Sequence, residues 1–226
     1  WMPFLYQAGG KLTDSETGAW AFNTPEGLES LTFYLDLYQT GRVNVGYDEW
    51  GGKEFSENRA GMVIEGSWLM RVLLDYGSTV NWGAVEPPSH HTEGSVISSQ
   101  CYGVSANTQH QEASLLLANF LTNAQSQTDF FSYHELPSRI SLSDAYMTYW
   151  VNVADENGLV WHRDDIQTFF YSLSYGFRLE SFKTRLYTSY SFEAVFSVAL
   201  EQVINGEITP QDMLNQMEAF VITDAP

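Results

Sequence analysis

Cysteine is almost missing from this sequence: Cys101 stands alone among 226 residues, which excludes an internal disulfide. That scarcity does not confine the chain to a reducing compartment, because a chain of this size buries a core without covalent staples. Basic residues are also few, 10 Lys and Arg against 28 Asp and Glu, for a formal net charge of −18. Such a field repels DNA and RNA, and no Lys/Arg cluster reverses it locally. An anionic membrane surface is disfavoured for the same reason, and a neutral or cationic solute suits the field better. Long apolar runs are absent too. Stretches such as Leu115–Leu117 are far too short to span a bilayer, so this segment does not insert into a membrane directly. No Gly-x-Ser-x-Gly elbow, phosphate loop or dinucleotide fingerprint occurs, so no catalytic residue and no cofactor is assigned.

What is present describes a folded globular chain, with 44% hydrophobic and 15% aromatic residues. It opens at Trp1 without a Met and runs at once into Met2-Pro3-Phe4-Leu5-Tyr6, which reads as the middle of a longer protein. Tyr6 to Asp14 predicts a helix end, a Gly9-Gly10 turn and a short extended stretch. Thr24 is a natural N-cap, Pro25 suits the first helical position, and Glu26 faces the positive end of the helix dipole. Leu28, Leu31, Leu35 and Tyr38 follow at helical spacing, and Gly41 stops the helix.

Gly61–Gly66 predicts a short strand, and Ser67 a cap for a helix from Trp68 to Leu74 that Gly77 ends. Trp82–Val85 and Cys101–Ser105 predict further short strands around a polar loop. A strongly apolar helix is expected from Glu112 to Thr122, with Ala113, Leu116, Leu117 and Phe120 on one face, and another from Ala124 to Phe131. The aromatic-rich stretch 141–187 reads as mainly helical. Helices are expected over Phe192–Ile204 and from Thr209-Pro210 to Phe220, separated by Gly206. Short strands alternating with longer helices predict an α/β architecture.

Several of these segments, in this order, resemble the extracellular solute-binding proteins of ABC importers, the family that includes maltose-binding protein. The resemblance rests first on Pro3-Phe4-Leu5-Tyr6-Gln7-Ala8-Gly9-Gly10 and on the Thr24-Pro25-Glu26 helix. Its most specific piece is Phe55-Ser56-Glu57-Asn58-Arg59-Ala60-Gly61-Met62-Val63-Ile64-Glu65-Gly66-Ser67-Trp68. Tyr102-Gly103-Val104-Ser105, Leu136-Pro137-Ser138-Arg139 and Asn205-Gly206-Glu207-Ile208-Thr209-Pro210 also fit. Residues 1–140 and 190–220 carry the likeness, and 141–190 carry little of it. Asn58 stands where the family prefers Gly; Asn is the residue next most able to take a left-handed turn. Gly61 replaces the usual Ala at little cost.

The resemblance implies a periplasmic-binding-protein-like α/β fold of class II, in which two lobes close over a ligand. By it, residues 1–92 are the first part of the C-terminal lobe, 93–140 cross over and add a segment to the N-terminal lobe, and 141–226 complete the C-terminal lobe. Most of the N-terminal lobe is not in this chain. The implied function is non-catalytic binding of a carbohydrate or similar polyol and its delivery to the membrane subunits of an ABC transporter. The implied location is extracytoplasmic, in a periplasm or at a cell surface, with an upstream lipid anchor left open. The rival readings are a glycoside hydrolase, which needs a carboxylate pair that no motif selects here, and a carbohydrate-binding module with aromatic subsites.

Trp68 follows Gly66-Ser67 at a predicted strand-to-helix turn, where an indole can offer its flat face to a sugar ring while helix amides meet hydroxyls. In relatives the matching Trp often stacks on the ligand; burial in a core is the alternative for Trp68. Tyr47, Asp48 and Trp50 fall where relatives place a cleft-facing loop, with Asp48 as a hydroxyl acceptor and the aromatics as stacking surfaces. Tyr6 and Gln7 precede the Gly pair and are candidate contacts, although a helix end explains them equally. Gln100 and Tyr102 lie at the expected crossover, and Tyr190 precedes the penultimate helix. His90-His91 is expected to be a solvated loop without a metal, because no third ligand stands at ligand spacing.

Overall fold

The computed structural model describes the chain except Ser15, Gly18, Arg42, 44–50, His134, 179–185 and 224–226, and except the side chains within 178–193 and 221–223. In chain order its helices are α1 (Met2–Gln7), α2 (Pro25–Gln39), α3 (Gly51–Ser56), α4 (Leu69–Asp75) and α5 (Gln111–Leu121). They continue with α6 (Ala124–Asp129), α7 (Ser143–Glu156), α8 (Arg163–Ser172), α9 (Leu186–Ile204) and α10 (Pro210–Thr223). Two short strands, β1 (Ser95–Ile97) and β2 (Gly176–Arg178), pair in parallel with Val96 opposite Phe177. Residues 1–46, 87–98 and 175–226 form one compact unit; 47–86 and 99–174 form a second.

Local chemistry starts and stops the helices of the first unit. The Thr24 hydroxyl accepts the Gly27 N–H at 3.2 Å, and Pro25 opens α2 with Glu26 in its first turn. Leu31 and Leu35 are buried on the face that the spacing predicts, with Leu28 and Tyr38 half-buried beside them. Gly41 follows the helix with φ +66°, a conformation that an L side chain resists. At α10, Thr209 and Asp212 cap each other: the Asp212 N–H reaches the Thr209 hydroxyl at 3.1 Å, and Asp212 accepts the Thr209 N–H at 3.1 Å. Two backbone donors at the helix start are thereby satisfied. The core of this unit gathers Leu5, Tyr6, Leu12, Phe22, Leu31, Leu35, Leu200, Val203, Met213, Leu214 and Met217 from α1, α2, α9, α10 and the stretch after α1.

The second unit explains the aromatic density of residues 141–174. Tyr146, Trp150 and Ala154 recur at four-residue spacing on one face of α7, and all three are fully buried with Met147, Trp161, Ile166, Phe131, Met70 and Leu73. Trp150 stacks on Trp161 at 6.0 Å and 27°, while Phe131 and Phe170 meet Tyr146 edge-on. These rings are packing, and α7 and α8 bear out the helical reading over the described part of that stretch.

Three local expectations are corrected. Gly61–Gly66, Trp82–Val85 and Cys101–Ser105 are irregular backbone, not strands. A short apolar run has no ladder of its own, and none of the three finds a pairing partner among the described residues. Ser67 is not the N-cap of α4; Trp68 holds that position, and Ser67 is buried. The apolar face expected on α5 exists, but it is uncovered. Leu116 is 65% exposed, Leu117 58% and Phe120 62%.

Candidate functional site

The segment from Phe55 to Trp68 is shaped by two residues with unusual freedom. α3 ends at Ser56, and the chain then turns through Asn58 at φ +58°, the left-handed conformation that Asn tolerates where Gly would otherwise be needed. Arg59 pairs there with Glu57 at 2.8 Å and with Glu54 at 3.3 Å. Gly61 lies in open space, so the Ala usual in the resembling family would fit equally well.

Gly66 is different. A Cβ at this position would overlap Cζ3, Cη2 and Cε3 of Trp68, so the six-membered ring of the indole lies directly over the Gly66 backbone. The Gly66 and Ser67 carbonyls accept the N–H groups of Leu69 and Met70 at 3.1 and 3.2 Å, which sets the first turn of α4. Ser67 is buried, and its side chain is hydrogen-bonded to the Tyr146 phenol. Burial pushes the Tyr146 hydroxyl well above the ordinary phenol range, so it stays neutral and works as a hydrogen-bonding group. The turn is thus anchored below by Ser67 and Tyr146 and bears an indole above.

Trp68 is 41% exposed and belongs to neither of the two apolar clusters. An indole fixed over a glycine and open to solvent is a flat apolar surface of the kind that stacks on a planar or C–H-rich ligand face. Tyr102, also of the second unit, is 56% exposed, and the Gln100 amide donates to Glu135 at 3.0 Å.

Tyr6 and Gln7 occupy the interior of the first unit. Tyr6 is buried and stacks on Phe177 at 4.2 Å, nearly parallel, and burial raises its phenol pKa. The Gln7 amide donates to the Gly94 carbonyl at 2.9 Å, and its backbone carbonyl accepts the His91 and Thr92 N–H groups at 2.9 and 3.2 Å. Both residues do structural work in this chain. Tyr47, Asp48 and Trp50 lie outside the described residues, as does the side chain of Tyr190.

Two residues near these sites had no prominence in the sequence. Tyr146 supports Ser67, and only its four-residue spacing from Trp150 could have marked it as inward-facing. Glu29, on α2, meets both histidines of the 90–92 loop. His90 Nε2 lies 2.7 Å from one carboxylate oxygen and His91 Nε2 3.5 Å from the other, with the two rings 3.9 Å apart. The hydrogen bond with His90 holds the Glu29 carboxyl below the ordinary glutamate range. A carboxylate that sequence spacing did not offer therefore stands beside both histidines.

Comparison with known proteins gives one consistent answer. The sequence model of the bacterial extracellular solute-binding protein family matches residues 1–155. No curated protein sequence matches the chain. Among solved structures, an ABC transporter solute-binding protein from Thermotoga lettingae bound to α-D-tagatose superposes with a TM-score of 0.70 at 21% identity, over 97% of this chain and 54% of its own. The cyclic α-maltosyl-1,6-maltose binding protein of Arthrobacter globiformis gives 0.66 at 23% identity, over 96% and 52%. An ABC substrate-binding protein of Listeria monocytogenes in complex with cycloalternan gives 0.73 at 17% identity, over 97% and 54%. The chain thus has the periplasmic-binding-protein fold and spans about half the length of these structures.

Proposed function

The chain belongs to the family of bacterial extracellular solute-binding proteins, and from that premise we propose that it captures a carbohydrate or similar polyol and delivers it to the membrane subunits of an ABC importer, without a catalytic step. An extracytoplasmic location goes with the family. The observation that carries the ligand class is Trp68, an exposed indole held over Gly66 on a turn anchored from below by Ser67 and Tyr146. A sugar ring offers an apolar C–H face that such a platform covers, and its hydroxyls need only a few polar groups around it. The tagatose and cycloalternan complexes, and a protein that binds cyclic α-maltosyl-1,6-maltose, support the same class. Tyr102, Gln100 and the residues Tyr47, Asp48 and Trp50 are the further contacts of this reading.

The experiment is a thermal-shift and calorimetric screen of the complete gene product against mono- and oligosaccharides, with the sugar recovered and analysed afterwards. A ligand that binds only the folded protein raises its melting temperature in proportion to the logarithm of its concentration. One sugar class should do so and be recovered unchanged. Steady turnover would favour a hydrolase, and no shift with any carbohydrate would overturn the ligand class.

A further inference from the structure

We propose that Glu29, His90 and His91 bind a divalent transition-metal ion, zinc above all, which ties α2 to the loop that leads into β1. Their donor atoms, two imidazole nitrogens and a carboxylate oxygen, lie within 4.8 Å of one another. That set suits zinc and its neighbours in the first transition row; magnesium and calcium prefer oxygen alone. In a tetrahedral zinc site with bonds near 2.0–2.1 Å, donors stand about 3.4 Å apart. His90 Nε2 lies 2.7 Å from Oε1 of Glu29 and His91 Nε2 3.5 Å from Oε2, so a small rotation of the carboxylate sets one oxygen at that spacing from both rings.

The supports on both sides are rigid. Glu29 stands on α2 just before Ser30 and Leu31, which are buried in the first unit. The His loop is pinned from beneath by buried Gln7, which accepts the His91 and Thr92 N–H groups and donates to Gly94. Only side-chain rotations are then needed to bring the ligands together. Both histidines direct Nε2 at the same carboxylate with their rings 3.9 Å apart. Glu26, one turn earlier on α2 and coupled electrostatically to His91, adds negative potential, as does the net charge of −18. All three ligands are about half-exposed, so water completes the coordination.

The test is a zinc titration of the complete gene product, purified without a polyhistidine tag, by calorimetry and by equilibrium dialysis with metal analysis. One ion per chain is expected, and magnesium at equal concentration should not displace it. His90→Ala, His91→Ala and Glu29→Gln should each weaken binding by at least about tenfold, since even residues that only support a metal ligand cost that much. Circular dichroism verifies that the variants are folded. Should one fail to fold, nitrogen-15 imidazole spectra of the unaltered chain decide: zinc should shift the Nε2 signals of His90 and His91, with His110, His134 and His162 as internal controls. No stoichiometric binding, binding unchanged in His90→Ala/His91→Ala, or shifts confined to the other histidines would overturn the site.

Discussion

The six-membered ring of Trp68 fills the space in which Gly66 would carry a Cβ. Replacing Gly66 with Ala should therefore force the indole off its backing and out toward solvent. Because Trp68 is already 41% exposed, the ring has room to move, and the stability loss should fall at or below the roughly 1–3 kcal/mol typical of overpacking. The coupling is measurable in a double-mutant cycle: in the Trp68→Ala background the same Gly66→Ala change meets no ring and should cost close to nothing. Equal costs in both backgrounds would disprove the contact.

Trp68→Ala itself separates platform from core. Loss of one aromatic stack should weaken carbohydrate binding by on the order of 1–3 kcal/mol, roughly ten- to hundredfold. Stability should fall by much less than the roughly 3–5 kcal/mol expected for a fully buried Trp such as Trp150. Calorimetry for affinity and urea unfolding for stability, on one variant, give both quantities. Unchanged affinity with severe destabilisation would defeat the platform assignment.

Gln7→Ala should act in the opposite way. It removes the donor to the buried Gly94 carbonyl, and an unsatisfied buried acceptor costs about 1–3 kcal/mol. Amide exchange should quicken across residues 90–97, which Gln7 anchors, while carbohydrate affinity changes little. A loss of affinity without a loss of stability would restore Gln7 to the ligand contacts.

The uncovered face of α5 makes a prediction about solution behaviour. Leu116, Leu117 and Phe120 are each more than half exposed, together with Leu115 at 51%, which is a large apolar patch for a lone domain. The isolated 226-residue chain should self-associate and bind a hydrophobic dye. Replacing Leu116, Leu117 and Phe120 with Gln should reduce both, as read by sedimentation velocity and dye fluorescence. A monodisperse, dye-silent parent chain would contradict the expectation.

Local chemistry was legible in the residues themselves. Thr24, Pro25 and Glu26 begin a helix because a capping hydroxyl, a preset φ and a favourable charge act within one turn. Gly9, Gly41, Gly77 and Gly206 end segments with positive φ, and Asn58 does so where the resembling family has Gly, since backbone sterics belong to the residue. Membership of the solute-binding family was readable for a related reason, because the Phe55–Trp68 motif encodes a run of such local turns. Only the tertiary structure decided which apolar faces are covered. Periodicity marks the α5 stripe and the α7 stripe alike, yet α7 is buried and α5 is open, because burial depends on what packs against a helix. The same holds for chemistry. Tyr6 and Gln7 went inside and Trp68 stayed out, and Glu29 reached His90 across 61 residues of chain, because which side chains meet is set by how α2 and the 90–92 loop pack and not by spacing along the sequence.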